Sequence, residues 1–265
     1  MPAPEPAPLS PAEATVLLSP NLVKGSAAIK ATLLLLLTTG VLRIEETEQP
    51  GFFRNKTIAH LRLAAEPKNP PPEIAALLDQ VRAAQADGGK IADVVKRGEK
   101  AFGPAFMQFI HTFIVPALIA RGLLVKKKIL FTHIFRLTPA GEAAQARIKS
   151  DLFKADDVAR LLKSDPAEAA ALARTLGTTM LLSDKLTRQF KPLADALRAR
   201  GADNAPIVND TPGGSFDFGN FDWGSFDLGS FEAGAIDAVH SGISAFDAGF
   251  SDGGGGHDGG GGGHH

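Results

Sequence analysis

Lys126-Lys127-Lys128 is the only run of three cations in the chain, with Arg121 just before it and Lys96-Arg97 further upstream. Clustered ammonium and guanidinium groups hold phosphate or carboxylate by charge, so these six residues are the candidates for contact with an anionic surface. The plainer account of the lysines is a solvated loop tip. A second set lies at the C-terminus, where His257, Asp258, His264 and His265 have the donor chemistry for loose chelation of Zn²⁺ or Ni²⁺. Glycine spacers leave that set without preorganisation, so a metal is not expected as a resident cofactor. His60, His111 and His133 are dispersed in sequence and read as structural.

Groupings able to do catalysis are missing from the sequence. There is no glycine-rich phosphate loop followed by Lys and Ser/Thr, no His-Glu-x-x-His, no Gly-x-Ser-x-Gly and no cysteine nucleophile. The expectation is a non-enzymatic protein with no cofactor. The absence of cysteine also excludes disulfides and fits a reducing compartment. Met1 to Pro8 lacks the basic and apolar regions of a secretory signal, so the expected location is cytoplasmic, with membrane association left open.

The candidate residues must be positioned by elements, and one pattern occurs twice. An apolar helical run ends at a glycine, a strand follows, and a polar excursion leads to a second strand. The first copy runs through Thr38-Thr39-Gly40-Val41-Leu42-Arg43-Ile44 and returns at Ile58-Ala59-His60-Leu61-Arg62-Leu63; the second runs through Ala120-Arg121-Gly122-Leu123-Leu124-Val125 and returns at Ile134-Phe135-Arg136-Leu137. This is the outline of a winged helix in tandem. The expected fold class is therefore mainly α with small β-hairpins: a winged-helix-like unit at 9–66, a second at 70–150, a helical extension at 151–200 and a low-complexity tail at 201–265.

Local signals place the helices. Ser10-Pro11-Ala12-Glu13 is a capping box with proline at the first helical position, and a helix follows to about Leu18. Gly25 to Thr39 is so apolar that most of its circumference must be buried. Thr47 to Lys56 reads as the first loop. Pro71-Pro72-Glu73 opens an amphipathic helix, a short helix is expected over Lys90 to Lys96, and a long apolar one over Pro104 to Ala120. Thr138-Pro139 starts another, followed by short helices over Ala155 to Leu162, Pro166 to Leu182 and Asp184 to Arg200, capped at Asp165 and Ser183 and packed back on the second unit. Ala101 to Val125 is apolar enough to suggest a membrane span, but Pro104, Gln108, His111 and Pro116 interrupt it, and a buried helix is expected instead.

Charge is divided unequally. All 28 Lys and Arg lie at or before Arg200, against nineteen of the 29 carboxylates, so the body carries +9 and the tail −10. The tail holds a five-residue period, Gly214-Ser215-Phe216-Asp217-Phe218 through Gly234-Ala235-Ile236-Asp237-Ala238, which matches neither helix nor strand and is too short for a stacked solenoid. A disordered, acidic, glycine-rich segment with regularly spaced aromatic contacts is expected. From Ile236 through Val239, Ile243 and Phe246 to Phe250 the spacing becomes helical, a segment that could fold on contact.

Leu9-Ser10-Pro11-Ala12-Glu13, Ala31-Thr32-Leu33-Leu34-Leu35 and Gly40-Val41-Leu42-Arg43-Ile44-Glu45-Glu46 resemble the cytosolic part of a bacterial family of predicted membrane proteins of unknown function with Gly-rich tails. The likeness covers roughly Leu9 to Val125. An extracytoplasmic domain and clear spans are missing here, so membrane attachment is not carried over. The helix ending Ile119-Ala120-Arg121-Gly122-Leu123-Leu124 before basic residues is similar in layout to the Golgi phosphoprotein family, which implies binding of phosphoinositide headgroups, without residue-by-residue correspondence. Leu137-Thr138-Pro139-Ala140-Gly141-Glu142 also looks like the strand-to-helix exit of bacterial winged-helix regulators.

The expected function is docking or scaffolding: a basic body that binds a protein or an anionic surface, with an acidic tail modulating the contact. The alternatives are a winged-helix DNA-binding regulator and a peripheral protein binding anionic lipid headgroups. Nucleic acid is the weaker partner, because the helices that would read bases offer only Lys30 in the first unit and Gln108 and His111 in the second.

Overall fold

The computed structural model describes residues 8–49, 56–129 and 132–187, together with 189 and 193. Helices α1 (Pro11–Leu18) and α2 (Gly25–Thr38) come first, followed by the antiparallel pair β1 (Leu42–Gln49) and β2 (Lys56–Leu63). The Ser10 hydroxyl accepts from the Glu13 N–H at 3.2 Å while Glu13 Oε2 accepts from the Ser10 N–H at 2.9 Å, the reciprocal cap expected of this sequence. The leucine run Leu33 to Leu37 is buried all round, which makes α2 a core helix. Pairing in the first hairpin extends to Gln49↔Lys56, so Thr47 to Gln49 belong to a strand and not to the expected loop. No glycine or proline interrupts the chain before Pro50, and nothing stops the ladder earlier.

Helix α3 (Pro72–Ala86) follows the Pro-rich joint, and α4 (Ile91–Phe102) runs a turn and a half beyond the expected Lys96. The single helix expected over Pro104 to Ala120 is broken into four pieces: a 3-10 turn (Pro104–Phe106), the short α5 (Met107–Phe109), a π-turn (Ile110–Ile114) and α6 (Val115–Ala120). Two local causes account for this. Ala105 and Phe106 take left-handed backbone angles after Gly103, and Pro116 has no N–H to return to the carbonyl of Thr112, so the ladder there shifts to the wider register. The axis bends by 71° between α4 and the Pro104–Ala120 segment, and among the described residues no single helix is long and apolar enough to cross a membrane. Phe102 meets Phe109 and Phe113 edge-on, and Phe109 and Phe113 meet at a tilt, with ring centroids 5.3 to 6.4 Å apart.

The second hairpin pairs β3 (Leu124–Ile129) with β4 (Thr132–Leu137), so all three lysines of the run lie on a strand. Thr138 then caps α7 by accepting from the Gly141 N–H at 3.0 Å. Helix α7 (Pro139–Ser164) is continuous across the expected boundary at 150, because the stretch from Arg147 to Lys154 holds no helix breaker. It replaces the separate helix expected over Ala155 to Leu162. Helix α8 (Pro166–Leu176) stops at Gly177, whose backbone is left-handed, and the chain continues as a 3-10 turn to Leu182, not as helix. Ser183 caps the start of α9 (Asp184–Thr187); most of the expected remainder to Arg200 lies outside the described residues, as does the tail.

The protein is thus mainly helical with two small antiparallel hairpins. Its buried side chains make one continuous core from Ala12 to Leu193. The C-terminal helices were expected on the second unit; α8 and α9 pack on α7, which itself lies on α1 as well as against β4, and the Gly177–Leu182 turn touches both α1 and α2. Gln145 of α7 ties this contact by donating to the carbonyls of Leu17 and Leu18 at the end of α1.

Candidate functional site: a cationic groove

The six basic candidates separate once folded. Arg121 ends α6 and turns inward: its Nη1 donates to Glu13 Oε2 at 2.7 Å, and its guanidinium reaches the carbonyl of Pro8 at 3.4 Å. Arg97 pairs with Asp87. Both arginines thus pair with carboxylates of the fold, Arg121 against the largely buried Glu13 and Arg97 against Asp87 at an exposed position. Lys96 is exposed on α4, which packs against α3 and β2, whereas β3 packs against β4 and α6. Lys126, Lys127 and Lys128 are exposed and form no ion pair among the described residues.

Strand alternation divides the lysines. Lys126 stands opposite Phe135 and Lys128 opposite His133, so these four share one face of the second hairpin, while Lys127 opposite Ile134 takes the other. The first face looks onto the helix. Lys126, His133 and Phe135 from the hairpin, with His111, Val115, Pro116, Ile119 and Ala120 from the π-turn and α6, line an open groove of about 640 Å³. The His111 ring lies 5.7 Å from that of Phe135, tilted by 36°. Among the described residues no carboxylate lines the groove.

Asn21 holds the hairpin in place over the helix. Its carboxamide accepts from the Phe135 N–H at 2.9 Å and donates to the Phe135 carbonyl at 2.8 Å, satisfying both backbone groups from the loop between α1 and α2. Those groups therefore point away from β3, which makes Lys126 and Phe135 a close, non-hydrogen-bonded pair. Beneath the hairpin, Gly141 lets α7 approach: a Cβ there would stand 2.0 Å from the carbonyl oxygen of Leu123.

His111 and His133, 22 positions apart and read as structural, converge on this groove beside Lys126. Their signal was present in part: His111, Val115 and Ile119 recur at helical spacing, and His133 falls opposite Lys128 once the hairpin register is fixed. His60 is structural as expected, its ring bridging Thr47 Oγ1 at 2.9 Å and the Gly88 carbonyl at 2.8 Å. Among the described residues no three His, Cys, Asp or Glu side chains come together to hold a metal. His257, Asp258, His264 and His265 lie outside the described residues.

Burial raises the Glu73 carboxyl above its ordinary range, and the nearby negative charge of Glu13 adds to the effect, opposed by a hydrogen bond from its own backbone. Comparison with known proteins found no matching family model, no matching curated protein and no matching solved structure.

Proposed function

We propose that this chain is a non-enzymatic docking protein and that the groove between α6 and the second hairpin receives an acidic segment of a protein partner bearing an aromatic side chain. The observation that carries this reading is the lining itself, an apolar floor of Val115, Pro116, Ile119 and Phe135 rimmed by Lys126, His111 and His133 with no carboxylate among them. An apolar floor takes a side chain, and the Lys126 ammonium selects the charge beside it. In this reading α2 with β1–β2, and α6 with β3–β4, act as winged-helix-like units whose second wing is a wall of the groove.

Three observations favour a protein over duplex DNA or a lipid surface. Helix α2 is buried and its Lys30 pairs with Asp184 at 3.7 Å, which leaves no cationic face for base edges. Gln108 folds back over Gly103, 3.3 Å from the position a Cβ would take there. The site is also concave, whereas a bilayer meets a projecting basic patch.

Selection of displayed random peptides on the full-length protein tests the reading. Peptides with a carboxylate beside an aromatic residue are expected to enrich, with affinity falling about tenfold on Lys126→Glu and weakening with added salt. Enrichment without carboxylates, or binding indifferent to Lys126→Glu, would overturn it. Saturable binding to duplex DNA or anionic vesicles that outcompetes such peptides would favour the alternatives instead.

A further inference from the structure

We infer that the groove's occupant is this chain's own five-residue repeat, so that the acidic tail docks in cis and closes the site to outside partners. The inference rests on the docking reading above and names its ligand. Each repeat places one apolar side chain directly before one carboxylate: Phe216-Asp217, Phe221-Asp222, Phe226-Asp227, Phe231-Glu232 and Ile236-Asp237. That is the pair the groove is lined to take, with Val115, Pro116 and Ile119 for the ring and Lys126 for the charge.

Charge complementarity supports the same occupant. The tail holds ten carboxylates and no Lys or Arg, against a body of +9, and the groove presents Lys126 with no carboxylate among its described lining residues. Chain length permits it. Leu193 is buried in the core, and the 22 residues between it and Phe216 span up to about 70 Å. A body of this size has a radius of gyration of about 16 Å, so its whole surface lies within that span. Five near-equivalent repeats for one groove raise the local concentration of ligand without adding a contact.

The chain contains one tryptophan, Trp223, and no tyrosine, and that tryptophan belongs to the second repeat. Its fluorescence in the full-length protein is therefore a direct readout. With five repeats sharing one groove the second occupies it about one fifth of the time, so docking predicts a blue-shifted component and about one fifth of the emission shielded from acrylamide, relative to a free peptide of residues 214–233. Both effects are expected to be independent of protein concentration and lost on Lys126→Glu combined with Ile119→Asp. A second variant leaves the body untouched: Asp217, Asp222, Asp227 and Asp237 changed to Asn, with Glu232 changed to Gln, is expected to free Trp223 equally.

Emission identical to that of the free peptide, or shielding that survives both variants, would overturn the inference. Shielding that appears only as concentration rises would place the tail of a second copy in the groove and overturn docking in cis. The two readings fail separately. If selected acidic peptides bind in a Lys126-dependent way while Trp223 stays free, the docking site stands without this ligand; if they bind and release a shielded Trp223, both stand.

Discussion

Arg121 Nη1 lies 2.7 Å from Glu13 Oε2, joining the end of α6 to the start of α1 across 108 residues of chain. The same carboxylate oxygen accepts from the Ser10 N–H, so one side chain both caps a helix and anchors the wall of the groove. The Glu13 side chain is only 10% exposed and that of Arg121 26%, which places the pair between surface and interior. Replacing Arg121 with Met leaves Glu13 without its cation and should cost about 2 to 3 kcal/mol, below the full penalty for a wholly buried pair. Glu13→Gln, which keeps an acceptor for the cap, should cost less. Urea denaturation of the two variants at neutral pH checks the order.

Glu73 predicts a pH dependence with a defined sign. Its carboxyl binds a proton more tightly in the folded state than in the unfolded chain, because burial and the charge of Glu13 oppose ionisation. Its contribution is therefore greatest at low pH and is lost as pH rises from the ordinary glutamate value of about 4.5 through the higher native one. Glu73→Gln should raise stability at neutral pH and flatten the slope in that window. Thermal unfolding of both proteins between pH 4 and 7.5, at constant ionic strength, would expose an error if the slopes coincide.

Asn21 predicts a local effect on the second hairpin. Asn21→Ala removes two hydrogen bonds to Phe135, both partly replaced by water at this exposed site, so the global cost should be about 1 kcal/mol. Exchange of the Phe135 amide should accelerate at least tenfold, while amides in α7 stay protected. Asn21→Asp keeps the acceptor and loses the donor, so it should protect that amide better than Ala does.

The glycines predict a ranking. At Gly141 and Gly25 a Cβ would stand 2.0 Å from the Leu123 carbonyl oxygen and 2.3 Å from that of Phe106, backbone atoms that cannot step aside. Alanine at either should cost about 2 kcal/mol or more, by the overpacking it forces. Gly40→Ala meets nothing within 4 Å and strains only a positive φ of 69°, for about 1 kcal/mol. Chemical denaturation of the three variants checks the order, which fails if Gly40→Ala is the most damaging.

The two hairpins were legible because their punctuation is local. Gly40 and Gly122 both follow an apolar helix and both adopt a φ of +69°, the left-handed stop that helix–glycine–strand spelling implies. Ser10 and Thr138 announced their helices by the same kind of short-range chemistry. The break before α5 was not legible in that way. Gly103-Pro104 hints at it, but the left-handed turn at Ala105 and Phe106 packs against Gly25, some eighty positions away.

The candidate site was half legible for a related reason. Three adjacent lysines are visible in any reading, and the hairpin register decides which of them share a face with His133 and Phe135. Arg121 and Arg97 looked like members of the same patch because charge is counted along the chain, while their partners Glu13 and Asp87 are set by the fold. His111 shares its helical spacing with Val115 and Ile119, but the hairpin residues that complete the groove around it are set by the fold and not by that spacing.

The carboxamide of Asn21 has one more consequence. A short strand with free outward N–H and C=O groups is a template on which another chain can lay a strand, and at Phe135 that template is already occupied. Whatever comes to this hairpin cannot lengthen its sheet at that position by main-chain pairing, a mode that accepts almost any sequence. On that edge of the hairpin recognition is thereby left to side chains, and an edge read by side chains can discriminate.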